Sequence, residues 1–182
     1  MTSYKLIPYG ISDFAQVREE DKYYVDKTMY LSKMEAAGNF LFLIRPRRFG
    51  KSLFLSMMRY YYDILEKDNF SSLFSGLWIE KNPTPLMGTF QVLYLDFSQV
   101  GGDMNNLFDR FNSRTGAVLD GFARRYEKFY YEGFAKDVES KSDFRSKLDI
   151  ITIRAKEFGH HLYLIVDEYD NFTNTVLNVA GE

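Results

Sequence analysis

The chain contains no cysteine, which at once excludes disulfides, zinc–thiolate centres and thiol nucleophiles, and nothing in it calls for an oxidising compartment. Net charge is also nearly absent. Twenty-three Lys and Arg stand against 25 Asp and Glu, a balance of -2 that exerts no global pull towards nucleic acid or an anionic membrane, so any basic site must be local. Long apolar runs are missing too. The longest, such as Phe40 to Ile44, fall far short of the about 20 residues that span a bilayer, and the polar start MTSYK does not read as a signal peptide. The expectation is a cytoplasmic protein with no membrane partner. With 4 prolines, no Pro- or Ser-rich linker, no repeat and no long charge run, nothing marks a boundary, and 182 residues suit one domain. The only two histidines, His160 and His161, are adjacent and so point to opposite faces of a strand, where they cannot readily share a metal. What the chain has in excess is rings: 17 Phe and 14 Tyr bring aromatic content to 18%, most simply read as a core and surface built with rings.

Apolar patterning alternates between short continuous runs and helical spacing. NFLFLI (39–44), QVLYLDF (91–97) and HLYLIVDE (161–168) are too short for buried helices and read as strands covered on both faces. A helix is expected over Thr28 to Ala37, with Gly38 at its C-cap. Leu53, Met57, Tyr60, Tyr61 and Ile64 predict a second helix after the loop RPRRFG. Further helices are expected over roughly Met104 to Tyr131, and from Ser140, through an S-x-x-D capping pattern with Asp143, to Gly159. Strands separated by helical crossovers imply an α/β domain with a parallel sheet, whose ligands sit at the carboxyl ends of the strands.

The segment LFLI-RPRRFGKS-LFLSMM places Gly50, Lys51 and Ser52 between an expected strand and a helix, the setting of a phosphate-binding loop. A glycine lets the backbone approach a phosphate closely, and a helix N-terminus offers amides and a positive dipole end. Lys51 can reach the β- and γ-phosphates, and the Ser52 hydroxyl can coordinate Mg²⁺. The full pattern, G-x-x-x-x-G-K-[ST], has a leading glycine where this chain has Arg45. A bare G-K-[ST] arises by chance in about one chain in ten of this length, so a second signal is needed. It comes at LYLIVDEYD, an apolar strand ending in Asp167 and Glu168, which has the form of a Walker B element: an aspartate for Mg²⁺ and a glutamate to activate water.

The strings IRPRRFGKSLFLS and LIVDEYDNF, with the N-terminal block PYGISDFAQVREEDKYYVDKT, together resemble the AAA-ATPase-like family of bacterial proteins over most of the chain. The resemblance implies a P-loop NTPase, a three-layer α/β/α sandwich with a mainly parallel sheet, binding ATP and Mg²⁺. In this family an arginine-rich loop without the leading glycine is usual. The candidate nucleotide-binding residues are then Arg45, Pro46, Arg47, Arg48, Phe49, Gly50, Lys51, Ser52 and Leu53; Lys51 and Glu168 carry catalysis, and Ser52 and Asp167 hold Mg²⁺. It also implies that members often continue into a C-terminal nuclease-like domain of the PD-(D/E)XK type, and that a further strand follows Walker B. Since 14 residues follow Glu168, the expectation is a P-loop domain over 1–182 truncated after the Walker B strand, with a tendency to self-associate through exposed strand edges.

Other readings stay open at this point. The chain could be a non-hydrolysing switch or scaffold whose nucleotide biases docking of a C-terminal domain or partner, or a nucleic-acid-binding module using Arg45, Arg47 and Arg48. Those arginines equally suit salt bridges to nearby carboxylates. Asp96 is expected to cap a turn with Ser98, Asp26 in YYVDKT to cap a helix, and Trp78 to anchor a satellite core.

Overall fold

A carboxylate opens the first helix. Asp13 precedes α1 (Phe14–Glu19), and its side chain accepts the amide of Gln16 at 2.9 Å, satisfying a first-turn donor. The structure, a computed structural model, describes residues 4–44, 46, 49–98 and 107–169. The chain divides into two compact units, Met1–Phe90 and Gln91–Glu182.

In the first unit, α2 (Tyr30–Ala37) begins two residues inside the expected span, and Gly38 follows it with φ +127° and ψ −176°, outside the left-handed helical well. The helical spacing after the loop is realised as α3 (Lys51–Tyr62), which buries Phe54, Leu55, Met57, Met58, Tyr61 and Tyr62. Two one-turn helices follow, α4 (Phe70–Leu73) and α5 (Trp78–Lys81). Helix α1 packs on α3 and α4, and the core between them is largely rings. Phe14 lies 5.0 Å from Phe74 and 5.2 Å from Tyr24, centroid to centroid, and Tyr61 meets Phe74 edge-on at 5.6 Å. Such pairs add about 0.5–1.5 kcal/mol each beyond the area they bury, so the aromatic excess is structural here. The phenol of Tyr61 is satisfied by Thr84, whose amide donates to it at 2.8 Å, and that of Tyr62 donates to Glu35 at 2.9 Å. Tyr61 and Tyr62 are fully buried.

One glycine in this unit admits no replacement. Gly88 has φ +63°, its amide donates to the Tyr61 carbonyl at 3.0 Å, and a Cβ there would stand 2.9 Å from Cβ of Lys67. Left-handed backbone costs a side chain about 1–2 kcal/mol, and Lys67 Cβ cannot swing aside without moving its backbone. Gly88→Ala is therefore expected to lower unfolding stability by about 2–3 kcal/mol in a denaturant titration; a change within error would mean that this turn relaxes freely.

The second unit carries the sheet. Strands β1 (Phe90–Asp96) and β2 (His161–Asp167) fall where two of the apolar runs predict them and pair in parallel, the Phe97 amide donating to the Asp167 carbonyl at 3.0 Å. Between them lie α6 (Leu107–Tyr126), α7 (Phe134–Glu139) and α8 (Phe144–Glu157). Helix α6 packs on α7 and α8, and α8 on β2. Leu119, Tyr126, Phe134, Val138 and Ile151 are fully buried. Tyr126 accepts the Val92 amide at 3.0 Å, and Tyr130 donates to Gln91. Burial pushes the Tyr130 phenol up to about 12, so it remains a neutral donor. His160 packs edge-on to Phe129 and Tyr130 as a structural residue. No helix among the described residues is long and apolar enough to cross a membrane.

Two local expectations fail. The cap of α8 is Asp143, which accepts the Ser146 amide at 2.9 Å, whereas Ser140 terminates α7; a Ser and an Asp both suit a cap, and the sequence does not say that another helix ends between them. Residues 39–44, expected as a buried strand, stand outside both strands, and Phe40, Phe42 and Ile44 are 94%, 81% and 81% exposed. An apolar run records a preference for burial, but the layers that bury it and the ladder that makes it a strand belong to other segments. Among the described residues the α/β architecture thus rests on a two-stranded parallel sheet.

Candidate functional site

In the first unit the candidate site residues gather at the start of α3. Gly50 is its N-cap, in the left-handed region at φ +75° and ψ +30°, and it supplies no side chain to cap the helix. The ladder begins with the Phe54 amide donating to the Gly50 carbonyl at 3.0 Å. The amides of Ser52 and Leu53 lie ahead of that ladder, at the positive end of the helix dipole. A left-handed residue followed by right-handed ones turns successive amides towards one point, the concavity that takes an anion. Lys51 and Ser52 occupy the first helical positions, both partly exposed. Arg45, Arg47 and Arg48 lie outside the described residues; Pro46 and Phe49 are exposed.

The N-terminal block holds this helix in place. Besides capping α1, Asp13 accepts from Tyr60 at 3.2 Å and from Ser56 at 3.4 Å, while the Ser56 hydroxyl accepts the Phe14 amide at 2.9 Å. Burial, with the Asp13 carboxylate alongside, pushes the Tyr60 phenol up to about 12 and keeps it a donor. The block also comes close to the loop itself, since Nζ of Lys27 reaches the Phe49 carbonyl at 3.4 Å. Periodicity gives no sign of this contact between residues 22 positions apart.

In the second unit the candidate residues stand at the carboxyl end of β2. Asp167 is 3% exposed, which for a carboxylate demands partners. Its Oδ2 accepts the Tyr94 hydroxyl of β1 at 3.1 Å, and its Oδ1 accepts the Glu168 amide at 2.9 Å. Glu168 itself has φ +53°, a left-handed conformation uncommon for a residue with a Cβ, and the Asp167 bond to its amide supports that turn. Tyr94 escaped the sequence reading, although its place two residues before Asp96 at the end of a strand marked it as a neighbour of the sheet's carboxyl edge. Asp96 caps a turn by accepting the Ser98 amide at 2.8 Å, as its sequence context predicts. Trp78 is 39% exposed, and its neighbour Ile79 is the buried anchor.

Among the described residues no group of three or more His, Asp or Glu side chains could hold a metal ion. The donors present, a serine hydroxyl at the head of α3 and the Asp167 carboxylate, are hard oxygen ligands. Each by itself is the kind of oxygen donor that Mg²⁺ takes alongside phosphates and water, and neither belongs to an all-protein metal cage among the described residues.

A protein of Azotobacter chroococcum mcd 1, described as an uncharacterized protein in the vnfD 5' region, is 53% identical over 57 residues. That match takes in 31% of this chain and 11% of the relative's own length. No solved structure matches the chain. The family model described as a predicted AAA-ATPase matches residues 8–181, nearly the whole sequence and both candidate motifs, and the chain therefore belongs to the AAA-ATPase-like family.

Proposed function

We propose that the chain is a Mg²⁺-dependent, cytoplasmic ATP-binding domain of the P-loop sandwich type which hydrolyses ATP in its full-length context. The observation that carries this reading is the head of α3, where Gly50 turns left-handed with no side-chain cap and Lys51 and Ser52 follow in a chain of an ATPase-like family. In this reading the amides from Arg47 to Ser52 cradle the phosphates, and Lys51 neutralises charge gathering on the transferred phosphoryl group. Ser52 and Asp167 are the residues that would hold Mg²⁺, which would supply positive charge to offset that of the phosphates. Tyr94 fixes one oxygen of Asp167. Glu168 orients a water and takes its proton as the oxygen attacks the γ-phosphorus and the bond to the ADP oxygen breaks.

Calorimetric titration of Mg-ATP, with Mg-GTP beside it, tests the binding. A saturable ATP isotherm is expected, and a flat one overturns the reading. Glu168→Gln separates binding from chemistry. It is expected to leave ATP affinity within about twofold while phosphate release by the intact protein falls by about 100-fold or more, the scale of losing a general base. Undiminished release would remove Glu168 from the mechanism.

One observation favours a second reading, a nucleotide-dependent switch. The exposed apolar run at 40–44 leads directly into the phosphate loop, so a C-terminal domain or second copy covering that run would sense the loop's occupancy. It predicts ATP binding with negligible turnover until the partner is added.

A further inference from the structure

We propose that Lys27 is a second phosphate-contacting lysine of the same site, aimed at the loop by the residues on either side of it; this rests on the nucleotide reading above. Both neighbours are engaged elsewhere. Asp26 accepts the amide and the hydroxyl of Thr28 at 2.8 and 2.7 Å through one oxygen, and the amide of Trp78 at 2.6 Å through the other. Thr28, fully buried, accepts the amide of Ile79 at 3.1 Å. Residues 26 and 28 are thus bolted to the start of α5, where they satisfy two of its first donors, and Lys27 between them is directed by a backbone that has little freedom to move.

The ammonium it carries lies over the Phe49–Gly50 turn. Nζ stands 3.4 Å from the Phe49 carbonyl and 3.7 Å from the point a Gly50 Cβ would occupy. Among the described residues that carbonyl is its only polar contact, and the distance is long for a hydrogen bond to a charged donor. An ammonium has three donors. A carbonyl at this range uses one of them weakly, leaving charge and hydrogen-bonding capacity at the mouth of a loop that already presents Lys51 and the α3 amides. A group carrying several negative oxygens matches that surplus, so the chemistry points to a polyphosphate, which the nucleotide reading makes a nucleoside polyphosphate, with the gain greatest for the most highly charged phosphate chain. For YYVDKT the sequence suggests only that Asp26 caps a helix; in the fold Asp26 and Thr28 anchor the segment, which leaves Lys27 for the ligand.

Lys27→Gln tests this cleanly, because the amide of glutamine keeps a donor for the Phe49 carbonyl and loses the charge. Mg-ATP and Mg-ADP are titrated into the full chain, the Lys27→Gln and Lys27→Arg variants, and Lys51→Ala, and each protein is melted without nucleotide. Lys27→Gln is expected to weaken Mg-ATP by about tenfold and Mg-ADP by less, with the nucleotide-free melting temperature unchanged, and Lys27→Arg is expected to recover most of the loss. ATP affinity that is unchanged in Lys27→Gln yet lost in Lys51→Ala overturns the role of Lys27 and leaves the nucleotide site standing. Equal losses for ATP and ADP with a lowered melting temperature make Lys27 a tie for the loop and also overturn the proposal. No binding by the unmodified chain removes the site and this inference together.

Discussion

Lys51→Ala is expected to abolish measurable Mg-ATP binding, a loss of at least about 100-fold, or roughly 3 kcal/mol. The size follows from position. Lys51 is the first residue of α3, beside the left-handed Gly50, where under the proposed function its ammonium and the helix dipole would act on the same anion. Removing it would leave the amides in place but take away the charge that the proposed function sets against the β- and γ-phosphates, and charge-assisted contacts are the strong ones. The fold should not notice. The residues that pin α3 are Phe54, Leu55, Met57 and Met58 in the core and Ser56 and Tyr60 at Asp13, none of which the substitution touches. The nucleotide-free variant should melt with the unmodified chain, so lost binding reports the site. Lys51→Arg is expected to restore little, since a planar fork does not replace a compact point charge at the head of a tight loop. Full affinity in Lys51→Ala would sink the phosphate-loop assignment.

Asp120→Ala is expected to be the most damaging of the charge substitutions to stability, by about 3 kcal/mol, equivalent to roughly 10 °C in melting temperature for a chain of this length. Lys147 of α8 pairs with Asp120 of α6, and their side chains are 8% and 21% exposed. The asymmetry in exposure sets the prediction. Without Asp120, the Lys147 ammonium is left buried and uncompensated beside Gly116, whose added Cβ would stand 3.9 Å from the lysine Cε. Without the ammonium, in Lys147→Met, the apolar stem still packs and the more exposed Asp120 can turn to water, so a loss of about 1 kcal/mol is expected. The double variant should recover much of the Asp120→Ala loss, because it leaves no buried charge. Chemical denaturation of the three variants measures the order. If Asp120→Ala is neutral, the pair is solvated and contributes nothing.

These two residues differ in how far sequence could foresee them. The place of Lys51 at a helix start was legible because its signal is local: a glycine, a lysine and a hydroxyl in succession ahead of an apolar helical period fall within three residues. The same holds for Asp167, placed at a strand end by the apolar run before it, and for helix α3 and strands β1 and β2, whose patterns are long enough to register. Helices α1, α4, α5 and α7 have four to six residues, under two turns, too short for a hydrophobic period to emerge. Asp120 and Lys147 each read as a solvated charge on a helix face. Only the packing of α6 on α8 makes them a buried pair. Lys27 and Phe49 each lie in a segment that the sequence singles out, but nothing in either segment shows that the two meet.

The amino-acid sequence by itself determined the chemistry available to this protein: no thiols, no strong field, two helix-and-strand motifs suited to phosphate and Mg²⁺, and family membership along nearly its full length. The tertiary structure alone decided which residues keep company. It latched the N-terminal block to α3 through Asp13, brought Lys27 to the Phe49 carbonyl, gave Asp167 its tyrosine, and left Phe40, Phe42 and Ile44 exposed where a buried strand was expected. The physical reason is range. Propensity, capping and loop chemistry act within a few residues and are written in local order, whereas burial and hydrogen-bond partnership depend on segments far apart in the chain, whose own patterns hold no record of what they will meet.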